Sequence, residues 1–263
     1  MKVAVIQYSP SDNKAENLEF IESAVRAVAA DGARLAVLPE YSIFTLPSLD
    51  ERSIENAERI DGPAVSLLMR LSGELGIALI AGINKVATDT RIYNTLVGID
   101  GGVVKETYRK VHLYDAFGHK ESDWIIPGEP NSGRVFNVDG FRVGLQTCYD
   151  LRFPEASRVL MDGGADVIAM PAQWVPGPLK ELHWDTLIRA RAIENTCYVL
   201  AADQAGPNGA DHSAIIDPMG IALAQLGDAS GTGFATISRE RLDEVRKTNP
   251  SLSHRRYAVR AKS

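Results

Sequence analysis

Apolar and polar residues fall into short blocks along the chain, and the blocks have two different periods. Strand-length apolar runs occupy residues 2–8, 35–39, 77–83, 94–99, 103–109, 143–147, 166–170 and 198–202, with a turn at Gly101 and Gly102. Apolar residues spaced three or four apart predict helices at residues 63–75, 154–161, 179–194 and 239–247, and an earlier one that ends before Asp31 and Gly32. Residues 214–217 and 221–226 flank a Pro-Met-Gly turn and predict a β-hairpin. Strands that alternate with helices and also form hairpins indicate mixed sheets covered by helices, an α/β layered architecture.

Composition and charge narrow the class of protein. The chain has 263 residues, of which 45% are hydrophobic and 24% charged, so it is typical of folded proteins with a large core. Acidic and basic residues are interspersed and the net charge is -6, which gives no long-range attraction toward phosphate backbones. We therefore expect no nucleic-acid partner.

The chain shows no sign of export or of membrane insertion. The apolar run before Gln7 is too short for a signal peptide, and no stretch approaches the roughly 18 apolar residues that span a bilayer. The two cysteines, Cys148 and Cys197, form no CxxC pair, which favours reduced thiols over a disulfide framework. These features predict a cytoplasmic protein with no membrane partner.

Ionisable residues follow three of the predicted strands at the point where each strand ends. Glu40 comes after residues 35–39, Lys110 after residues 103–109, and Cys148 after residues 143–147; Glu121 lies a short distance beyond Lys110. Loops at strand ends in layered α/β folds point side chains into a shared crevice. A carboxylate, an amine and a thiol are thus predicted to meet.

These side chains suit nucleophilic catalysis. A free thiol has a pKa of about 8.5 and needs a base or a positive neighbour to become a good nucleophile. A glutamate supplies the base, and a lysine with a backbone N–H stabilises an oxyanion.

Each residue taken alone has a plainer interpretation. A lone cysteine at a strand end is most often a small buried hydrophobe, and Glu40 and Lys110 could be solvated charges. Cys197 lies in an apolar strand with no charged neighbour and is predicted to be core. Four charged residues that follow Cys148 in sequence are predicted to form a structural ion-pair cluster at a helix start and not to be catalytic: Asp150, Arg152, Glu155 and Arg158.

Six sequence segments that occur in order favour the catalytic interpretation over the plainer ones. The segments LPEYSIF, YRKVHLYDAFGHKES and GLQTCYDLRFPEASR resemble the three signature segments of the nitrilase superfamily of carbon–nitrogen hydrolases. GADVIAMPAQW, HWDTLIRARAIENTCYVLAADQ and HSAIIDPMG resemble its later segments, so the resemblance covers about residues 2–235.

The resemblance implies roles for individual residues at matching positions. Glu40 would be the general base, Lys110 the oxyanion-stabilising lysine and Cys148 the nucleophile. Glu121 would be the second glutamate, which positions the substrate, and the N–H of Tyr149 would be the second oxyanion donor. Trp174 is predicted to contact the substrate.

The resemblance also implies an architecture and a reaction. The expected fold is a four-layer α-β-β-α sandwich of two mixed sheets flanked by helices, as one domain over residues 1–263 that assembles as a homodimer or larger homo-oligomer. The expected reaction converts a small aliphatic amide or omega-amide to an acid and ammonia through a cysteine thioester. No metal or organic cofactor is expected, and the chain contains none of the motifs HExxH, GxGxxG after the first strand, or GxxxxGK[ST].

The segment CYDLRFPE resembles the amidase branches of the superfamily rather than the true nitrilases. The length and the segment KVHLYDAFGHKES are most similar to deaminated glutathione amidases, omega-amidases and aliphatic amidases. The first two act on substrates that carry carboxylates, so a cation is expected in the pocket. Lys180, His183 and Arg191 are candidates because they follow Trp174 in sequence, although they could equally be helix-surface residues.

Other functions stay open from the sequence. An N-carbamoyl amidohydrolase would use the same residues on a ureido group, and a nitrilase would use them on a nitrile. A non-catalytic binding protein on the same fold is a further alternative. A histidine-based thiol hydrolase would need His112, His183 or His212 as its base.

Overall fold

The computed structural model describes residues 1–130 and 134–262. Its helices and strands, in chain order, are β1 (Lys2–Gln7), α1 (Lys14–Ala30), β2 (Leu35–Val37), α2 (Glu51–Glu55), α3 (Pro63–Leu75), β3 (Ala78–Val86), β4 (Ile92–Asp100), β5 (Val103–Arg109), β6 (Val135–Val138), β7 (Phe141–Leu145), α4 (Pro154–Asp162), β8 (Val167–Ala172), α5 (Lys180–Asn195), β9 (Tyr198–Asp203), β10 (Ala214–Ile216), β11 (Ala222–Gln225), β12 (Gly231–Thr236) and α6 (Arg239–Thr248). Short 3₁₀ turns cover Glu121–Asp123 and Cys148–Arg152.

The strands form two mixed six-stranded sheets. The first has the order β12-β1-β2-β3-β4-β5 and the second the order β11-β10-β9-β8-β7-β6. Strands β1, β2 and β3 are parallel, as are β7, β8 and β9, and the remaining neighbours pair antiparallel. Parallel central strands with antiparallel edges are therefore common to both sheets.

Side-chain alternation along β1 shows how the layers stack. Val3 and Val5 belong to a core that also holds Val143 and Val167 of the second sheet, whereas Ala4 and Ile6 belong to a core shared with helices α1 and α3. A third core lies between the outer face of the second sheet and helices α4 and α5. Successive strand residues face opposite sides, so each sheet is buried on both faces. The predicted α-β-β-α sandwich of two mixed sheets is confirmed.

The predicted strands and helices are all present, with ends displaced by a few residues. Three further elements were not predicted: α2, β6 and β12. Strand β12 has the sequence GTGFAT, which carries no alternating apolar pattern, and it forms because it pairs with β1, from Lys2 opposite Thr236 onward. Its strand conformation depends on this distant partner rather than on its own residues.

Candidate active site

Glu40 lies just beyond the carboxyl end of β2 and is buried, with 1% of its surface exposed. The neighbouring strand β3 passes very close to it, because a Cβ on Gly82 would lie 2.7 Å from the Glu40 Cα and from the Tyr41 nitrogen. Tyr41 has a φ of 53°, in the left-handed region that non-glycine residues rarely occupy. Local backbone strain of this kind persists only where the surrounding packing holds it, and it is common at functional sites.

Lys110 follows β5 and is 2% exposed. Its Nζ lies 3.0 Å from Glu40 Oε1 and 2.9 Å from Glu121 Oε2. Burial opposes the charge on this ammonium, but its electrostatic interactions with Cys148, Glu121 and Glu40 together outweigh burial and raise the pKa of Lys110 well above its ordinary value. Lys110 therefore stays protonated and can act as an electrophile but not as a base.

Cys148 begins the 3₁₀ turn that follows β7. Its φ is 48°, again in the left-handed region. The turn is fixed by a capping box in which the Thr147 side chain and the Asp150 side chain bond each other's backbone N–H. The Cys148 Sγ donates to the Gln173 carbonyl oxygen at 3.5 Å.

Gln173, just beyond the end of β8, joins the thiol to the carboxylate. Its backbone N–H donates to Glu40 Oε2 at 2.7 Å, while its carbonyl accepts from Cys148. The Gln204 side chain donates to the Glu40 carbonyl oxygen at 2.8 Å. This bond connects the loop that carries Glu40 to the end of β9. The first sheet supplies the base and the lysine, and the second supplies the thiol and the peptide that links them.

The thiol is held in its protonated form at rest. Burial raises the pKa of Cys148 well above its ordinary value, the negative charge of Glu40 raises it further, and Lys110 opposes the shift. Two carboxylates surround one ammonium, which leaves excess negative charge beside the sulfur. A thiolate forms here only as the proton moves to a nearby base.

Sequence reasoning missed two residues that hold the glutamates. Asn94 of β4 donates through Nδ2 to Glu40 Oε1 at 2.6 Å and more weakly to Glu121 Oε1 at 3.4 Å. The Tyr41 hydroxyl donates to Glu121 Oε1 at 2.7 Å. Tyr41 follows Glu40 in the signature segment, which is a usable signal, but Asn94 lies inside a strand and carries none.

The charged residues border a cavity of about 260 Å³. Glu40, Lys110, Glu121 and Cys148 all contribute to its wall. The other lining residues are Tyr41, Leu46, Pro47, Ser48, Leu49, Tyr114, Gly118, His119, Lys120, Asp123, Trp124, Gln173 and Val175. The predicted catalytic residues thus share one cavity, which can hold a small substrate beside the thiol.

A narrow cleft also borders Cys148. It is lined by Tyr149, the predicted second oxyanion donor, and by Trp174, which is predicted to contact the substrate. The Trp174 N–H donates to Asp203 Oδ1 at 2.7 Å and its Nε1 donates to the Lys180 carbonyl oxygen at 2.8 Å. Trp174 therefore borders the cleft and also fixes the start of α5.

Of the three predicted pocket cations, only Lys180 lines the cleft. Arg191 instead donates to the Leu151 carbonyl oxygen and pairs with Glu194. His183 lies 3.3 Å from Arg152 Nη2, and it is Arg152 that lines the cleft beside Lys180.

The predicted ion-pair cluster behind the thiol is wrong. Within residues 1–130 and 134–262, Asp150, Arg152, Glu155 and Arg158 form no ion pair with one another. Asp150 turns inward and lies 2.7 Å from His112 Nδ1, and Arg158 donates to the Glu194 carbonyl oxygen. The carboxylate is used to cap the turn, so it cannot face the arginines.

The histidines proposed as alternative bases have other partners. His112 bonds Asp150, His212 lies 3.2 Å from Asp185 Oδ2, and His183 bonds Arg152. In the described part of the chain none of these three bonds Cys148, so the geometry favours Glu40 as its base. Over the same part, no three His, Cys, Asp or Glu side chains are arranged to hold a metal ion, and no helix combines the length and apolar character needed to cross a membrane.

Comparison with known proteins agrees with this geometry. The sequence profile of the carbon-nitrogen hydrolase family matches residues 2–247. The chain belongs to that family. A deaminated glutathione amidase of Escherichia coli O157:H7 is 36% identical to this carbon-nitrogen hydrolase over 258 residues, which is 98% of each chain. A deaminated glutathione amidase of Synechocystis is 34% identical over 267 residues, covering 96% of this chain and 97% of the relative.

Solved structures place this carbon-nitrogen hydrolase in the same fold family. A CN-hydrolase superfamily protein of Xanthomonas campestris, described with an arsenic adduct in its active site, has a TM-score of 0.86 at 27% identity and covers 99% of both chains. A mutant amidase of the nitrilase superfamily from Nesterenkonia has a TM-score of 0.81 at 26% identity, covering 97% of this chain and 94% of that one. The chain is an amidase-branch member of the nitrilase superfamily.

Proposed function

We propose that this enzyme hydrolyses a linear amide whose acyl part carries a carboxylate, through a thioester on Cys148. The observation that carries the proposal is the meeting of Cys148 with Glu40 and Lys110 in one cavity, with a cleft beside the thiol that holds two cations. Two relatives named deaminated glutathione amidase support an amide substrate.

In the first half of the reaction Glu40 accepts the thiol proton as Sγ attacks the amide carbonyl carbon. The oxyanion that forms is stabilised by the Lys110 ammonium and the Tyr149 N–H, and losing one such donor typically costs about 10² to 10³ in rate. Glu40 then passes its proton to the nitrogen, the C–N bond breaks, and ammonia leaves.

In the second half a water molecule attacks the thioester. Glu40 accepts a proton from that water, and the water oxygen bonds to the acyl carbon. The oxyanion that forms is again stabilised by Lys110. The C–S bond then breaks, the sulfur takes the proton back from Glu40, and the acid is released. Glu40 thus acts as base and acid twice, which suits a carboxylate held near a fixed positive charge.

The surroundings of Lys180 favour a substrate that carries a carboxylate. Its side chain is buried, its Nζ donates to the Tyr114 hydroxyl at 2.6 Å, and it lies 4.2 Å from the centre of the Phe117 ring. Burial lowers the pKa of Lys180 and the nearby charge of Arg152 lowers it further. Buried cations are usually paired with an acid, and among the described residues Lys180 has no carboxylate within ion-pairing distance.

Arg152, which lines the same cleft, supports the same class of substrate. Its guanidinium lies 4.7 Å from the Trp174 ring, and its Nε is buried with no hydrogen-bond partner in the described part of the chain. A buried donor without an acceptor costs about 1–3 kcal/mol. A substrate carboxylate that replaces the Tyr114 hydroxyl at Lys180 would pair with both cations. The cleft has a volume of only about 10 Å³, room for about one water-sized group, so a single carboxylate oxygen would enter it while the larger cavity holds the rest of the substrate.

The test is ammonia release from a panel of amides. The panel holds a deaminated glutathione analogue, succinamate, an uncharged aliphatic amide, carbamoyl amino acids and matched nitriles, with Cys148→Ala as control. We expect release from the carboxylate-bearing amides and none from the Cys148→Ala protein. Release by that variant would exclude Cys148 as the nucleophile, and activity confined to carbamoyl compounds or nitriles would replace the proposal by those reactions.

A second variant tests the cations. Lys180→Met keeps the length of the side chain and removes one charged donor, which is worth about 1.5–3 kcal/mol, so KM for the carboxylate-bearing amide should rise about 10- to 150-fold. KM for the uncharged amide should hardly change. An equal loss for both substrates would show that Lys180 acts through folding and not through recognition.

A further inference from the structure

Asn94 contacts three of the four predicted catalytic residues, two through their carboxylates and one through its backbone. Its side chain donates to both Glu40 and Glu121, and its carbonyl oxygen accepts the backbone N–H of Lys110 at 2.9 Å. The residue lies in β4, between the strand that contacts Glu40 and the strand that leads to Lys110, and it is 1% exposed. One residue therefore sets the relative positions of the base, the second glutamate and the lysine.

The two oxygens of Glu40 have separate partners. Oε1 accepts from Asn94 at 2.6 Å and from Lys110 at 3.0 Å, whereas Oε2 accepts from the Gln173 N–H at 2.7 Å. Since the Gln173 carbonyl also holds the Cys148 thiol, Oε2 is the oxygen on the thiol side. Asn94 and Lys110 thus fix the rear oxygen and leave the front oxygen to exchange the proton.

We propose that Asn94 is a positioning residue that stabilises the Glu40 carboxylate by a hydrogen bond and aligns it for proton transfer. A neutral amide suits this task. A second cation would stabilise the carboxylate so strongly that it could not accept the thiol proton, and an apolar side chain would leave Lys110 as the only rear donor, shared with Glu121. The inference rests on the proposed role of Glu40 as the base.

The experiment compares Asn94→Leu and Asn94→Asp with the unchanged enzyme over a range of pH. The two readouts are kcat/KM for amide hydrolysis and the rate constant for alkylation of Cys148 by iodoacetamide, which needs no substrate. Loss of a hydrogen bond to a charged group should move the acid limb of both profiles to higher pH by about one to two units in Asn94→Leu. Asn94→Asp adds a negative charge at nearly constant volume, so its acid limb should move further.

A purely steric role predicts the opposite order, because aspartate matches asparagine in shape and would behave like the unchanged enzyme. Asn84, which lies opposite Asn94 in the β3–β4 ladder and donates to the Phe44 carbonyl oxygen, supplies the matched control. Asn84→Leu should leave the acid limb in place. If Asn94→Leu does not fold, Asn94→Ala removes the same donor without added bulk.

The outcomes separate this inference from the proposed function. Shifted alkylation profiles in an enzyme that releases no ammonia from any amide would support Asn94 and refute the proposed reaction. Normal hydrolysis with unshifted profiles in all Asn94 variants, or a uniform loss of rate at every pH, would overturn the role of Asn94.

Discussion

Replacement of Lys110 by methionine tests whether one ammonium holds two buried carboxylates together. Methionine is apolar and of similar length, so Lys110→Met removes the charge with little change in packing. The lost contacts are 3.0 Å to Glu40 and 2.9 Å to Glu121. At an effective dielectric constant of about 20, each is worth about 5–6 kcal/mol of Coulomb attraction.

The net cost to folding is smaller than that sum, because a carboxylate can take up a proton. Removing one partner of a buried ion pair usually destabilises a protein by about 3–5 kcal/mol. Near neutral pH we therefore expect the free energy of unfolding to fall by about that amount, and kcat/KM to fall by at least about 10²-fold because an oxyanion donor is lost.

The pH dependence of the stability of Lys110→Met tests whether the lost charge is the cause. Without the ammonium the folded variant binds a proton more tightly than its unfolded chain, so its stability should rise as pH falls toward about 5. Urea unfolding at the two pH values measures this change. The double variant Lys110→Met/Glu121→Gln removes one of the two carboxylates and should recover much of the lost stability but none of the activity. A deficit that is independent of pH, or a double variant as unstable as the single one, would show that packing and not charge is responsible.

Three further predictions concern neighbouring residues. Glu121→Gln removes a negative charge beside the thiol and so lowers the pKa of Cys148. At a fixed pH, alkylation by iodoacetamide should become faster while ammonia release becomes slower. Slower alkylation would contradict the electrostatic explanation. Gly82→Ala would bring a methyl group within 2.7 Å of the Glu40 backbone, so kcat should fall at least about tenfold. The control is Gly227→Ala, where a Cβ meets no atom within 4 Å, and its kcat should not change. Cys197 is fully buried and burial raises its pKa to about 12, so mass spectrometry of the native protein should find one alkylated cysteine, and none in Cys148→Ala.

The sequence alone could predict most of the architecture, because buried strands and amphipathic helices carry their own periodic pattern. It could also predict Glu40, Lys110, Glu121 and Cys148 as one group, since each falls in a signature segment and all but Glu121 directly follow a predicted strand. The structure brings these four to one cavity, and their roles in catalysis stay predictions.

Asn94 shows what periodicity cannot supply. A simple hairpin around Gly101 and Gly102 that pairs Asp100 with Val103 would continue to place Tyr93 opposite Lys110. The register shifts between Gly98 and Ile99, so that Thr95 faces Arg109 and Asn94 comes level with Lys110. A β-bulge depends on packing across the whole sheet and has no local signature here.

Arg152 was missed for a different reason. Beside Asp150 and ahead of Glu155 it is typical of a surface ion-pair cluster, and only the inward turn of Asp150 toward His112 frees it to face the cleft. Whether a charged side chain meets its sequence neighbours or the substrate is decided by the conformation of the turn, which a linear pattern does not contain.

The pairing of β1 with β12 has a consequence for synthesis of the chain. Lys2 lies opposite Thr236, so β1 leaves the ribosome long before the strand that flanks it on one side. Until residues 231–236 have been made, β1 is an unprotected sheet edge, the kind of surface on which partly made chains associate. All four predicted catalytic residues are by then already translated. A chain whose synthesis stops before β12 would therefore contain all four predicted catalytic residues and still expose the edge of β1 to other chains.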